Sequence, residues 1–175
     1  MTISIDRGLK HMAWANKEIL TKVSALPDSA LDAYVVNPEW TVREISRHIA
    51  SSATWYGWRL LDRSAFTDAE NAAWQSKLEE TEIPPTTAKD VAIVIDRLER
   101  ADAELLRASS LPEGDMTREW QGATIIRKRS TIISQAIHHA TEHRAQLVSA
   151  LEFKGFTSIN LDDYDLWNYA DTIGE

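Results

Sequence analysis

Four segments of the sequence repeat apolar residues every three to four positions, which is the spacing of an amphipathic α-helix. Such a helix is stable when its apolar stripe packs against a partner, so four of them in one chain restrict the fold to a helical bundle. The first segment ends at "LPDS" (26–29), the third covers about 87–109, and the fourth runs from about Thr131 to Lys154 before a stop at Gly155. The stripe of the first segment contains Ile5, Leu9, Met12, Ile19, Val23 and Leu26, with Asn16 on the same face.

The second helical segment has the clearest start signal. Pro38 precedes Thr41, whose hydroxyl can cap the helix, and Glu44 follows three residues later, which is the pattern of a capping box. The polar stretch at about 64–87, which contains Trp74, is typical of a loop, with a short helix near 68–79 as the alternative. The inward stripe of this second helix contains Ile45, His48, Ser52, Trp55 or Tyr56, Arg59 and Leu60.

Two short strand-like runs precede the fourth helix. Thr117–Trp120 and Thr124–Arg127 lie on either side of Gly122 and predict a β-hairpin. The tail "LDDYDLWNYA" (161–170) predicts a short final helix with Leu166, Trp167 and Tyr169 available to dock. No linker or repeat divides the chain, so the predicted fold is all-α: one four-helix-bundle domain over 1–175, with a short β-hairpin before the last long helix.

Composition excludes several function classes. Cysteine is absent, so any metal must be held by nitrogen and oxygen ligands. The net charge of -8 argues against a nucleic-acid partner, since such binding depends on clustered Lys and Arg. No apolar stretch approaches the roughly 20 residues of a membrane span, and the N-terminus lacks the apolar core of a signal peptide. We expect a cytoplasmic protein with no membrane partner that acts on a small molecule.

Three histidines are the strongest candidates for a site. His139 and His143 are four residues apart and share one helical face, whereas His138 lies about 140° away from His143. His48 lies on the apolar stripe of another helix, and burial of three unpartnered imidazoles is costly. One divalent ion would satisfy all three and keep open positions, as in catalytic sites. The all-nitrogen ligand set suits Zn, Ni, Cu or Fe and does not choose among them; Zn or Ni is the expected ion. The alternative is a set of hydrogen-bonded histidines at the edge of the core, and His11 and His138 are expected at the surface or rim.

The same window contains a competing motif. "HATEH" (139–143) fits H-x-x-E-H, in which two histidines bind zinc and Glu142 is a general base. That class needs a further carboxylate ligand and a larger scaffold, so Glu142 is only a weak catalytic candidate and a solvated charge is the favoured interpretation.

A possible pocket follows His48 along the second helix. Ser52, Trp55, Tyr56 and Arg59 could wall it, although simple core packing explains each of them singly. The basic run 127–129 is typical of a solvated face, with binding of an acidic substrate as the alternative. Asn16 is expected to make a structural hydrogen bond in the core, the alternative being support of a ligand imidazole.

Several blocks of the sequence also resemble one family. "HMAWANKEIL", "WTVREISRHIA", "HHATEHRAQLVSALEFKG" and the closing "LDDYDLWNYA" resemble, in this order, the DinB-like (DinB/YfiT) family. The resemblance implies an up-down-down-up four-helix bundle, often dimeric, with one divalent metal on His48, His139 and His143. Arg144, a further possible pocket residue, and Gln146 complete the family's motif, and Ala145 stands where glycine is common.

The resemblance implies a class of function without a reaction. It indicates a metal-dependent enzyme, either a transferase that uses a low-molecular-weight thiol such as bacillithiol or mycothiol, or a hydrolase. Relatives that are mycothiol-dependent isomerases often carry a carboxylate in place of one histidine, so the all-histidine set weakens that assignment. The alternative function is a noncatalytic metal-binding or ligand-binding module that works as a homodimer.

Overall fold

The computed structural model describes residues 5–61, 63 and 66–175. The described part is mostly helical, with one two-stranded antiparallel sheet, which agrees with the predicted all-α class. None of its helices combines the length and apolarity needed to cross a bilayer. The helices are α1 (Asp6–Ser24), α2 (Val42–Leu60), α3 (Asp68–Thr81), α4 (Val91–Ser109), α5 (Arg129–Phe153) and α6 (Leu166–Thr172), and the strands are β1 (Asp115–Trp120) and β2 (Ala123–Lys128).

The four long helices are those that the sequence predicts. α1 packs against α4 and α5, and α2 packs against the same two helices, so one apolar core lies between all four. The third predicted helix begins at Val91 rather than at 87, because residues 88–90 form a 3₁₀ turn. α5 ends at Phe153, and Gly155 follows with a φ of +88°, as its predicted role as a stop requires. The largest fully buried side chains include Leu9, Met12, Ile19, Leu20, Ile45, Leu98, Leu105, Leu147 and Leu151.

The caps of two helices differ from expectation. Thr41 Oγ1 accepts from the Glu44 amide as predicted, but the Glu44 carboxylate pairs with Arg47 instead of completing the capping box. A complete capping box is found at Thr67 and Glu70, where α3 begins. The loop prediction for 64–87 is therefore wrong for most of its length, residues 64 and 65 lying outside the described residues, and the alternative of a short helix is confirmed. α3 has almost no apolar periodicity because it buries only Leu78 and Thr81.

The hairpin leads directly into α5. β1 and β2 pair antiparallel from Asp115 opposite Lys128 to Trp120 opposite Ala123. The turn between them is Gln121–Gly122, both at positive φ, which matches the right-handed twist of a two-residue hairpin. The Arg129 amide, at the start of α5, donates to the Gly114 carbonyl at 2.9 Å, and β1 contacts α2. The hairpin thus closes over the end of α2.

The C-terminal tail packs on α1. Tyr169 is 8% exposed and its ring lies 5.5 Å from that of Trp14, whereas Leu166 and Trp167 are 50% and 81% exposed. Of the three residues expected to dock, only Tyr169 does so. His11, predicted at the surface or rim, is half-buried and its Nε2 lies 2.8 Å from the Tyr164 carbonyl oxygen, so it helps to hold the tail.

Candidate metal centre

His48, His139 and His143 meet where α2 crosses α5. The Nε2 atoms of His48 and His143 lie 3.1 Å and 3.0 Å from Nε2 of His139. One ring nitrogen from each residue lies within 4.8 Å of the other two, and the three side chains are partly buried. Nitrogens that share one ion at about 2.1 Å, with angles of 90–109°, are roughly 3.0–3.4 Å apart. The two distances to His139 fall in this range, so the three imidazoles could hold a single divalent ion.

Gln146 and Trp40 fix the orientation of His143. Gln146 Oε1 lies 2.9 Å from Trp40 Nε1 and 2.8 Å from His143 Nδ1. The indole N–H can only donate, so the amide atom that faces it must be the oxygen. His143 Nδ1 must then also donate to that oxygen, which leaves the lone pair on Nε2. This is the tautomer that a ligand at Nε2 needs.

Trp40 also packs on the site. Its ring is edge-on to those of His48 and His143, with centroids 5.1 Å and 5.5 Å away. Tyr56 is edge-on to His139 at 5.7 Å. Trp40 lies outside the predicted stripes because it precedes α2, and its partner Gln146 is 106 residues away in the sequence.

Burial keeps two of the imidazoles neutral. Desolvation, followed by repulsion from His143, lowers the pKa of His48 to about 4. Desolvation, followed by repulsion from His143 and His48, lowers the pKa of His139 to about 4. Both groups are therefore in the neutral, metal-binding form at neutral pH.

The neighbours of the triad on α5 point elsewhere. His138 and Glu142 are exposed, and neither belongs to the cluster of described residues that could hold a metal. The structure therefore brings together the three histidines that helical geometry selects. It places the weak catalytic candidate Glu142 on the solvent face, in agreement with the favoured interpretation of a solvated charge.

A groove extends from the triad along α2. Ser52 Oγ lies 3.5 Å from His48 Nε2, and Ser52, Trp55, Tyr56 and Arg59 line a cavity of about 820 Å³. Those four predicted pocket residues thus share one cavity next to the triad. It is open to solvent, and Arg118 and Glu119 of β1 complete its wall.

Arg144, grouped with the pocket in the sequence, lies elsewhere. It is 5% exposed, its Nη1 donates to Asn16 Oδ1 at 2.7 Å and its Nη2 donates to Thr141 at 3.0 Å. Burial lowers the pKa of Arg144 to about 10, against the opposing charge of Asp102. Asn16 and Arg144 thus join α1 to α5 inside the core, which supports the structural interpretation of Asn16.

Fold and site together define a class of protein: a mostly helical chain in which two helices bring three histidines to a point where they could hold one metal ion. The model of the DinB family matches residues 1–172. The chain therefore belongs to the DinB family, and the resemblance of its sequence blocks is confirmed. Comparison with curated proteins and with solved structures gives no match.

Proposed function

We propose that this protein is a metal-dependent enzyme that acts on a small molecule, by thiol transfer or by hydrolysis. One observation carries the proposal: the three histidines converge beside an open groove, whose lining residues Ser52 and Tyr56 contact His48 and His139. Three protein ligands with room for a fourth partner are typical of catalytic sites, whereas structural sites are closed by protein groups. Zn or Ni is the favoured ion. The four long helices would form the up-down-down-up bundle of the family.

Residues next to the proposed ion would have separate roles. A divalent ion held here would lower the pKa of a thiol or water and so supply a nucleophile near neutral pH. Gln146 holds His143 in its ligand tautomer, and Trp40 shields the rings of His48 and His143 from water on one side. Burial raises the pKa of Tyr56, which keeps the phenol protonated beside His139 and able to donate a hydrogen bond in the groove.

The experiment is an activity screen on metal-loaded protein. Wild type, His139→Ala and His138→Ala are loaded with Zn or Ni and assayed for thiol transfer, with bacillithiol or mycothiol and an electrophile, and for ester and amide hydrolysis. We expect a metal-dependent rate that His139→Ala loses and His138→Ala keeps. Equal rates in wild type and His139→Ala would contradict the proposal.

A second candidate is a noncatalytic dimeric module. Large apolar side chains are exposed at and after the end of α5: Phe153, Leu166, Trp167 and Ile173. Exposed apolar side chains of this kind favour a protein partner, here a second copy of the chain. This candidate predicts a dimer in analytical ultracentrifugation that Trp167→Ser weakens, together with no rate in the screen. A stable monomer would exclude it. In either case we propose a cytoplasmic protein.

A further inference from the structure

The groove beside the triad has a wall of arginines. Arg59 on α2, Arg63 just after α2 and Arg118 on β1 line both the groove and an adjoining pocket of about 190 Å³, and Arg127 on β2 lines the pocket. We refer to these four residues as the arginine wall. Tyr56 lines both cavities as well, and its ring lies edge-on to that of His139, so both cavities lie next to the triad.

The charge of the wall is opposite to that of the chain. Asp and Glu number 27 against 19 Lys and Arg. Among the described lining residues, however, four arginines face one carboxylate, that of Glu119, which already accepts from the Thr124 hydroxyl. Positive charge is therefore concentrated in this one concave place, where low-dielectric walls strengthen its field.

Three arginines of the wall differ from six other arginines of the chain. Arg7, Arg43, Arg47, Arg97, Arg100 and Arg107 all form ion pairs with carboxylates. Within the part of the chain that the structure describes, Arg59, Arg63 and Arg127 form none. Arg63 stacks on the Trp58 ring at 4.3 Å, and Arg127 donates to the carbonyl of its neighbour Ile126.

Only one member of the basic run at 127–129 belongs to the wall. Lys128 pairs with Asp115 across the hairpin at 2.6 Å. Arg129 donates to the carbonyls of Leu60 and Pro112, so it ties the start of α5 to the end of α2. Arg127 alone lines the pocket.

Partial burial and like charge act on Arg59, the member of the wall nearest the triad along α2. Desolvation, followed by repulsion from Arg118, lowers the pKa of Arg59. An anion between these side chains would relieve that repulsion, and guanidinium groups bind carboxylate and phosphate through paired hydrogen bonds. The wall therefore suits a ligand that carries carboxylate or phosphate groups.

We propose that the arginine wall binds the anionic groups, carboxylate or phosphate, of the small molecule whose reacting group meets the triad. This inference rests on the proposed metal-dependent function. Ser52, Tyr56 and Arg59 follow His48 on successive turns of α2, and His48 and Arg59 are about 16 Å apart along the helix axis. The ligand is thus an extended molecule, with its reacting group at one end and its negative charge at the other.

The test uses two simple anions, inorganic phosphate and succinate, titrated by calorimetry into metal-free protein so that direct coordination cannot contribute. We expect saturable binding by wild type and by His139→Ala, and at least about tenfold weaker binding by Arg59→Gln and by the exposed Arg127→Gln. Arg107→Gln, an exposed arginine of α4 outside the wall, is the matched control and should match wild type within about twofold. The anion that binds more tightly distinguishes phosphate from carboxylate ligands.

The outcomes separate this inference from the function on which it rests. No binding by wild type, or equal binding by wild type and both wall variants, overturns the arginine wall even where the metal assay succeeds. A different outcome is anion binding that depends on Arg59 and Arg127, while wild type fails to bind metal when it is loaded with Zn or Ni. That outcome supports the wall as an anion site and overturns the metal-dependent function alone.

Discussion

At the scale of single residues, the site depends on a side chain that is not a ligand. Gln146 Oε1 accepts hydrogen bonds from Trp40 and His143 at once, and this pair of donors fixes both the amide orientation and the imidazole tautomer. The register of His139 over His138 follows from helical spacing and could be predicted from the sequence. The role of Trp40 could not, because it depends on a contact between elements 106 residues apart.

The first prediction concerns this support. Gln146→Ala removes the acceptor of His143 Nδ1, so the ring can rotate or change tautomer. We expect metal affinity to fall about 10- to 100-fold, measured by competition with a chelating dye. Gln75→Ala, which alters an exposed glutamine of α3, is the control. An affinity for Gln146→Ala equal to that of the control would show that Gln146 does not orient the ligand.

The second prediction concerns the buried carboxyl group of Asp102. Desolvation raises its pKa to about 7, opposed by Asn16 and then by the charge of Arg144, while Glu99 raises it further. The unfolded pKa is about 3.9, so between about pH 4 and 7 the folded state binds more protons than the unfolded state. The raised pKa of Asp102 therefore stabilises the folded state fully below about pH 4, and this stabilisation is lost as the pH rises through 7.

Asp102→Asn removes that titration. Urea unfolding is measured for wild type and variant, both in the His139→Ala background. The free energy of unfolding of the variant should rise relative to that of wild type between pH 5 and pH 8. A difference in unfolding free energy that stays constant over this range would contradict a raised pKa for Asp102.

At the scale of elements, α2 carries most of the candidate site. His48, Ser52, Tyr56 and Arg59 lie on its successive turns, so one helical face leads from the triad to the arginine wall. The sequence predicted this face because its spacing is regular. It did not predict α3 with equal clarity, because α3 buries two residues and has no apolar stripe.

The third prediction tests the start of α2. Thr41→Ala removes the acceptor for the Glu44 amide and should lower the free energy of unfolding by about 1 kcal/mol in urea denaturation. Thr41→Ser keeps the hydroxyl and should lie close to wild type. If both variants were equally stable, the Thr41 side chain would not cap α2.

At the scale of the whole molecule, an ion on the triad would join α2 to α5, which otherwise are held together by the apolar core. α2 and α5 pack through apolar side chains such as Ile45, Ile49 and Leu147, and the sequence predicted these helices from their periodicity. The docking of the tail was predicted only in part. Tyr169 and the exposed Trp167 lie in one short helix, and packing against Trp14 and His11 of α1 buries Tyr169.

The fourth prediction follows from ligand linkage. An ion that binds the folded state alone stabilises it by about 2.7 kcal/mol when its concentration is 100 times Kd. For a chain of this size we expect the Tm to rise by roughly 5–10 °C on metal addition and to return on chelation. His139→Ala should show no rise. A Tm that is insensitive to metal in wild type would contradict an ion held between α2 and α5.

The most direct test of the central claim, that His48, His139 and His143 hold one divalent ion, is elemental analysis of purified wild type, His139→Ala and His138→Ala. We predict about one equivalent of transition metal in wild type and in His138→Ala, and less than about a tenth of an equivalent in His139→Ala. Metal-free wild type after incubation with Zn or Ni, or equal loss in the two variants, would contradict the account.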